Sequence, residues 1–139
     1  MTVYREELYI DTKGEADIID LTNMVKDIVR RSGVKEGLAN IFSPGSTCAI
    51  STIEYEPGLL KDFPMILERI APKNIEYEHH KRWGDYNGHS HVRATLIKSS
   101  FTVPISNGEL ILGTWQQIVF IELDVRPRRR KIIVTVIGE

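Results

Sequence analysis

Two nearly continuous apolar runs, Trp115 to Leu123 and Lys131 to Ile137, constrain this chain more than any other feature. The second carries the stretch IIVTVIG. Unbroken β-branched and apolar residues suit strands covered on both faces, because a half-exposed strand alternates apolar with polar. Each run predicts an interior strand, and a sheet with interior strands needs further strands and helices to cover it.

The rest of the chain supplies them. Leu38 to Phe42 and Cys48 to Tyr55 read as strands on either side of SPGST. Phe101 to Ile105 and Glu109 to Leu112 flank SNG, where Asn107-Gly108 suits a hairpin turn because both residues tolerate positive φ. Val3 to Ile10 is rich in β-formers but alternates poorly, which predicts an edge strand. From Asp20 to Arg31, Leu21, Met24, Val25, Ile28 and Val29 draw one helical stripe, with Asp20 as cap and Gly33 as left-handed exit. In PGLLKDFPMILERIAP, Leu59, Phe63, Ile66, Leu67 and Ile70 share a helical face. Pro64 predicts that a first turn ends near Asp62 and a second helix runs from Pro64 to Ile70. VRATLIKSS reads as a short helix capped by Asn87 or Ser90, with a strand as the alternative. These elements predict a single α+β domain over residues 1–139, a mixed or mostly antiparallel sheet with helices packed on one side.

Composition removes several function classes. Eighteen basic residues against nineteen acidic ones leave a net charge of -1, which argues against nucleic acid as partner. No apolar run approaches the roughly 20 residues that span a bilayer. MTVYREELYIDTKGE places charges where a signal peptide has its apolar region, so a cytoplasmic protein without a membrane partner is expected. Cys48 is the only cysteine, excludes an intrachain disulfide, and has the small apolar neighbours of a core residue.

All four histidines, His79, His80, His89 and His91, fall within EHHKRWGDYNGHSH, together with Asp85 and Asn87. Imidazole is the commonest transition-metal ligand, and three such ligands with one open position is a catalytic zinc arrangement. His79, His89 and His91 are the candidate ligands for a divalent metal, Zn or Mg. On a helix, residues two apart do not face each other, so only one of His89 and His91 would then share a site with His79. The spacing matches no strong metal signature, and it leaves a metal or catalytic site and a polar surface loop both open. Asp85 and Asn87 are suited to orienting such ligands.

Other candidates lie elsewhere. Ser46 and Thr47 in SPGST offer hydroxyls and backbone N–H groups to phosphate, although the spacing is not a P-loop. Glu54, at the end of an apolar strand, is a candidate acid, base or ligand, or else simply marks a solvent-exposed strand end, and Glu122 and Asp124 carry the same two readings. Trp115 and Gln116 in LGTWQQ are core and edge residues or a surface for a heteroaromatic ring. The basic run Arg126 to Lys131 reads as a solvated hairpin turn or a subunit contact.

The segments PGSTCAISTIEYEPGLLKDFP, ERIAP, YEHHKRWGDYNGHSHVRATL and GELILGTWQQIVFIELDVRPRRRKIIVTVIGE, in this order, resemble the YjbQ-like family, described as secondary thiamine-phosphate synthases. The resemblance runs from about Gly37 to the end. The family pattern falls on Glu54, His79, Asp85, Asn87, His91, Trp115 and Gln116. It implies a homotrimer with sites near subunit boundaries, acting on small phosphorylated metabolites. The reaction it implies joins hydroxymethylpyrimidine diphosphate to a thiazole phosphate and releases pyrophosphate. In that reading His79 and His91, with His89, hold the metal, Asp85 and Asn87 orient, Glu54 manages a proton, Ser46 and Thr47 meet phosphate, and Trp115 meets a ring. Many members have His-Thr-Thr-Ala where this chain reads Gly45-Ser46-Thr47-Cys48. A metal-assisted phosphate-ester hydrolase and a non-catalytic phosphometabolite-binding protein are the alternative expectations.

Overall fold

The computed structural model describes all residues from Met1 to Glu139. It contains eight strands and four helices, in the order β1 (Thr2–Asp11), β2 (Ile18–Asp20), α1 (Thr22–Ser32), β3 (Gly37–Phe42), β4 (Cys48–Ile53), α2 (Pro57–Ile70), α3 (Glu78–Arg82), α4 (Gly88–Ile97), β5 (Ser100–Ser106), β6 (Glu109–Leu110), β7 (Gln117–Glu122) and β8 (Arg129–Gly138). The strands form a five-stranded sheet, β1-β8-β3-β5-β6, and a three-stranded sheet, β2-β7-β4. Every pairing is antiparallel. The α+β domain is therefore as predicted, but its strands divide between two sheets.

The division explains the core. Period-2 alternation turns Ala39 and Ile41 of β3, Val103 and Ile105 of β5, and Ile132, Val134 and Val136 of β8 to one face. They meet Ile50 of β4, Ile118 and Phe120 of β7, and the α1 stripe of Leu21, Val25, Ile28 and Val29 in one buried cluster. The opposite face of the small sheet presents Ala49, Val119 and Ile121, which pack on Leu67 of α2 and Ala94 of α4. The layers run large sheet, core with α1, small sheet, then α2 and α4. β7 is covered on both faces as its apolar run predicts. β8 is not: although central in its sheet, it alternates buried with half-buried or exposed residues, because the large sheet's outer face carries no helix.

Several local expectations hold. Gly33 ends α1 at φ 72, Asn107 and Gly108 turn the β5–β6 hairpin at φ 54 and 75, and β1 lies at a sheet edge. Others need correction. The helix around Pro64 is continuous from Pro57 to Ile70. Pro64 removes one intrahelical donor, while the Glu56 side chain caps the Leu59 N–H at 2.7 Å and Leu60, Phe63 and Leu67 pack on the small sheet. Of the apolar face assigned to this helix, Ile66 and Ile70 stay exposed. β4 ends at Ile53 and β7 begins at Gln117, so Glu54 and Trp115 lie outside the strands to which they were assigned.

Candidate functional site

Helix α4 organises the site. Its N-cap residue is Asn87, and Asn87, His91, Thr95 and Lys98 recur at helical spacing along one face. His89 and Arg93 point the other way and anchor the helix. His89 is wholly buried with Nε2 2.7 Å from Glu15 Oε2. Arg93 donates to the Ala71 carbonyl at 3.0 Å and to Glu68 at 2.8 Å. These contacts tie α4 to α2 and to the β1–β2 connection, and they fix which face looks toward the SPGST loop.

On that face the His91 ring lies 4.6 Å, centroid to centroid, from the His79 ring of α3. Asp85 stands beside them, its Oδ1 4.0 Å from His79 Nδ1. His79 Nδ1 is buried and has no hydrogen-bond partner. Burial, and secondarily the neighbouring His79, lower the His91 pKa below that of a free imidazole, against the opposing pull of Asp124, Asp85 and the Ser46 backbone. Two imidazoles with an unused buried ring nitrogen are a donor pair suited to a divalent cation. His89 does not join them: it faces the other side of α4, where its Nε2 meets Glu15 and its buried Nδ1 has no partner. No three His, Cys, Asp or Glu side chains come together as a ligand group. The chain thus offers His79 and His91, with Asp85 at the rim, rather than the three-histidine set.

A cavity of about 420 Å³ adjoins His91, walled by Gly45, Ser46 and Cys48 on one side and by Thr95, Lys98, Ser99 and Ser100 on the other. Behind the SPGST wall runs a buried polar chain. Glu122, wholly buried, takes Arg130 Nε at 2.8 Å and Nη2 at 2.6 Å, and Thr12 Oγ1 at 2.8 Å. Arg130 Nη2 also donates to Thr47 Oγ1 at 2.9 Å, and Thr47 Oγ1 donates to Asp124 Oδ2 at 3.2 Å. Asp124 Oδ1 accepts from Asn87 Nδ2 at 3.3 Å, and Arg128 reaches Asp124 Oδ2 at 3.0 Å. Burial pushes the Asp124 carboxyl up, but the Val125 N–H, Asn87, Thr47 and Arg128 together outweigh it and hold its pKa below the usual range. The chain links β8, β7, the SPGST loop and the start of α4, so it sets the distance between the two walls of the cavity.

This network revises four sequence expectations. Glu122 and Asp124 are buried structural acids, not exposed strand ends. Arg130 leaves the solvated basic turn for the interior. The Thr47 hydroxyl is spent inside the network, which leaves Ser46 as the phosphate candidate on the cavity wall. Asn87 holds Asp124 through its amide N–H groups, while its buried Oδ1 is unpartnered.

Glu54, Trp115 and Gln116 do not reach the His79–His91 pair within the chain. Glu54 and Trp115 line a second cavity with Asp20, Tyr55, Glu56, Pro57, Thr114 and Gln117, and it shares no residue with the first. Cys48 borders one cavity and Glu54 the other, at opposite ends of β4. At about 3.3 Å per residue the two ends are roughly 20 Å apart. Trp115 is 72% exposed, a large aromatic surface that the chain leaves uncovered. Gln116 acts locally, accepting from the Gly113 N–H at 3.1 Å and donating to Thr52 Oγ1 at 3.2 Å.

Gly45 has a packing reason. A Cβ built there would lie 2.8 Å from Cys48 Sγ and 3.2 Å from Arg130 Nη1. Cys48 is itself wholly buried, and burial raises its thiol pKa against the Ser43 hydrogen bond, the reverse of nucleophile activation. The loop closes over the sulfur, and the glycine leaves it room. Gly45→Ala is expected to cost about 1–3 kcal/mol from overpacking. In the Cys48→Ala background the same change is expected to cost less than about half of that. A double-mutant cycle by denaturant unfolding measures the coupling, and purely additive costs would remove this account of Gly45.

The family model for UPF0047, YjbQ-like proteins matches residues 6–139. A UPF0047 protein of Methanothermobacter thermautotrophicus is 44% identical over 139 residues, covering 100% of this chain and 95% of the relative. A UPF0047 protein of Archaeoglobus fulgidus is 38% identical, covering 92% and 97%. Among solved structures, a YbjQ-like protein from Sulfolobus solfataricus superposes with a TM-score of 0.94 at 34% identity, covering 99% of each chain. A YjbQ/UPF0047 family protein from Clostridium acetobutylicum gives a TM-score of 0.87 at 38% identity, covering 95% of this chain and 99% of its own. With the match running through both walls of the His91 cavity and both sheets, this chain belongs to the UPF0047, YjbQ-like family.

Proposed function

We propose that the protein is a thiamine-phosphate synthase, joining hydroxymethylpyrimidine diphosphate to a thiazole phosphate at the His79–His91 pair. The observation that carries this reading is the position of His91, which stands both in the imidazole pair and in the wall of a hydroxyl-lined cavity. A reaction that expels pyrophosphate needs a place for a polyanion next to groups that receive a cation, and His91 borders both.

The chemistry sets the demands. The bond between the pyrimidine methylene carbon and the diphosphate oxygen breaks, and pyrophosphate leaves with the electron pair. The thiazole ring nitrogen supplies a new pair to that carbon. A divalent cation would stabilise the charge developing on the leaving group. The chain's own contributions are distinct: Ser46 offers donors to phosphate, His79 and His91 would hold the cation, Asp85 stands beside His79, and Asn87 ties the start of α4 to Asp124 and so keeps His91 in place. Holding the two rings within attack distance supplies much of the rate.

A homotrimer completes the arrangement in this reading. A neighbouring protomer would bring its Glu54 and Trp115 against the His91 cavity, giving one site the groups that β4 keeps apart in a single chain. The exposed apolar side chains of Ile70, Leu96 and Trp115 are the surface such packing would bury.

The test is to incubate the purified protein, with Mg²⁺ or Zn²⁺, with both precursors and with each alone. Thiamine phosphate and pyrophosphate in equal amounts, formed only when both are present, is the expected result. Inorganic phosphate released from a single precursor would favour a metal-assisted hydrolase instead. Binding of a precursor with no product after prolonged incubation would favour a phosphometabolite-binding protein. No helix is long and apolar enough to cross a membrane, which suits an assay on free protein.

A further inference from the structure

Resting on that synthase reading, we infer that Lys98 anchors the substrate's diphosphate group in the His91 cavity, together with Ser46, Ser99 and Ser100. Lys98 is the only lysine or arginine lining this cavity, and no carboxylate lines it. Lys73 and Lys81 pair with Glu15 and Glu78. Lys98 has no such partner, and its ammonium is free to meet an anion. The N–H groups of Gly45 and Ser46, residues of the opposite wall, donate to no acceptor within the chain and remain available as donors.

The backbone of Lys98 adds an independent observation. It sits at φ 82 and ψ 165, a conformation that belongs almost wholly to glycine. Two hydrogen bonds hold it there: its N–H donates to the Ala94 carbonyl at 2.8 Å, and its carbonyl accepts from the Ile50 N–H at 3.2 Å. A lysine therefore occupies, at a cost in strain, a junction between α4 and β4 that glycine would fill without strain. The cost is consistent with a role for the side chain, since the fold needs only the backbone.

One effect opposes an anion here. Lys98 caps the C-terminal end of α4, where unpaired carbonyls carry roughly half a negative charge. Thr95 does not relieve it, because its hydroxyl donates to the His91 carbonyl at 2.8 Å. The full positive charge of Lys98 exceeds the half charge of the helix end and reverses the local sign. Without that ammonium the same wall would repel a diphosphate, which makes the residue decisive for this pocket.

Inorganic pyrophosphate is the probe, titrated calorimetrically into the full-length wild type, Lys98→Gly and Lys98→Arg, with thermal midpoints measured on each. Lys98→Gly is expected to weaken pyrophosphate binding by about tenfold or more, as loss of a charged hydrogen bond does. It is also expected to raise the thermal midpoint, because glycine relieves the strained φ. Lys98→Arg is expected to retain most of the affinity. A purely structural lysine would not weaken binding while the fold becomes more stable. Unchanged pyrophosphate affinity in Lys98→Gly, or a wild type that does not bind the probe at all, overturns the inference. Lys98-dependent binding in a protein that makes no thiamine phosphate upholds the anchor and rejects the synthase. Undiminished synthase turnover by Lys98→Gly at limiting diphosphate substrate upholds the synthase and rejects the anchor.

Discussion

Replacing Arg130 with methionine is expected to destabilise the protein by about 3–5 kcal/mol, the cost of leaving one member of a buried ion pair without its partner. Arg130 and Glu122 meet through two short contacts, Nε to Oε1 at 2.8 Å and Nη2 to Oε2 at 2.6 Å, and Glu122 is wholly buried. Burial alone would lower the arginine pKa, but the Glu122 hydrogen bonds outweigh it and raise the value, so the guanidinium stays charged. Without it, Glu122 keeps only the Thr12 hydroxyl and the Asp124 N–H, too little for an interior carboxylate. In a thermal melt the loss corresponds to roughly 10–20 °C for a domain of this size. Removing both charges in Arg130→Met with Glu122→Leu is expected to recover most of the stability, because a well-packed apolar pair often equals a buried ion pair. The double variant still lacks the bond to Thr47, so the SPGST wall is expected to loosen and pyrophosphate to bind more weakly at near-normal stability. If the single and double variants melt together, the pair is not what holds this part of the core.

That ion pair was partly legible in the sequence. Along β7, period 2 places Glu122 on the face of Ile118 and Phe120, and along β8 it places Arg130 on the face of Ile132, Val134 and Val136. Each charge terminates a core-facing stripe, and two opposite charges at the ends of two such stripes are a matched set. Reading Glu122 as an exposed strand end and Arg130 as part of a solvated turn or subunit contact overlooks the face that each shares. The helices were legible for a similar reason: the α1 stripe and its Gly33 exit are local signals. The division into two sheets was not, because β3 and β4 flank one short loop yet pair with β8 and β7, far away in sequence. Nor could spacing alone sort the histidines. Only the helical state of α4, with His89 and Arg93 tied to Glu15 and Glu68, sends His91 to the cavity and His89 to the core.

That sorting leads to the second large effect. On the proposed synthase reading, His79→Ala and His91→Ala are each expected to lower Zn²⁺ affinity and turnover by more than about 100-fold, beyond the 10–100-fold typical of residues that merely orient a ligand. The two rings are 4.6 Å apart, and no third His, Cys, Asp or Glu joins them in a ligand group, so each ring would be half of the imidazole set. His89→Gln is the comparison that matters. Its ring is bound to Glu15 on the opposite face of α4, so the change is expected to lower stability while leaving Zn²⁺ affinity within about threefold of wild type. The pH dependence follows from the same geometry. A ligand imidazole must be neutral, and burial beside His79 places the His91 pKa below the ordinary value of 6.5. Under the proposed metal site, protonation of His91 would compete little with a cation at pH 7, and its contribution to affinity would decline as pH falls through that lowered pKa. Zinc titrations of the three variants across this range, read by calorimetry, decide the assignment. Equal losses in His89→Gln and His91→Ala would mean that α4 turns in the working protein, and the two-histidine site would have to be abandoned.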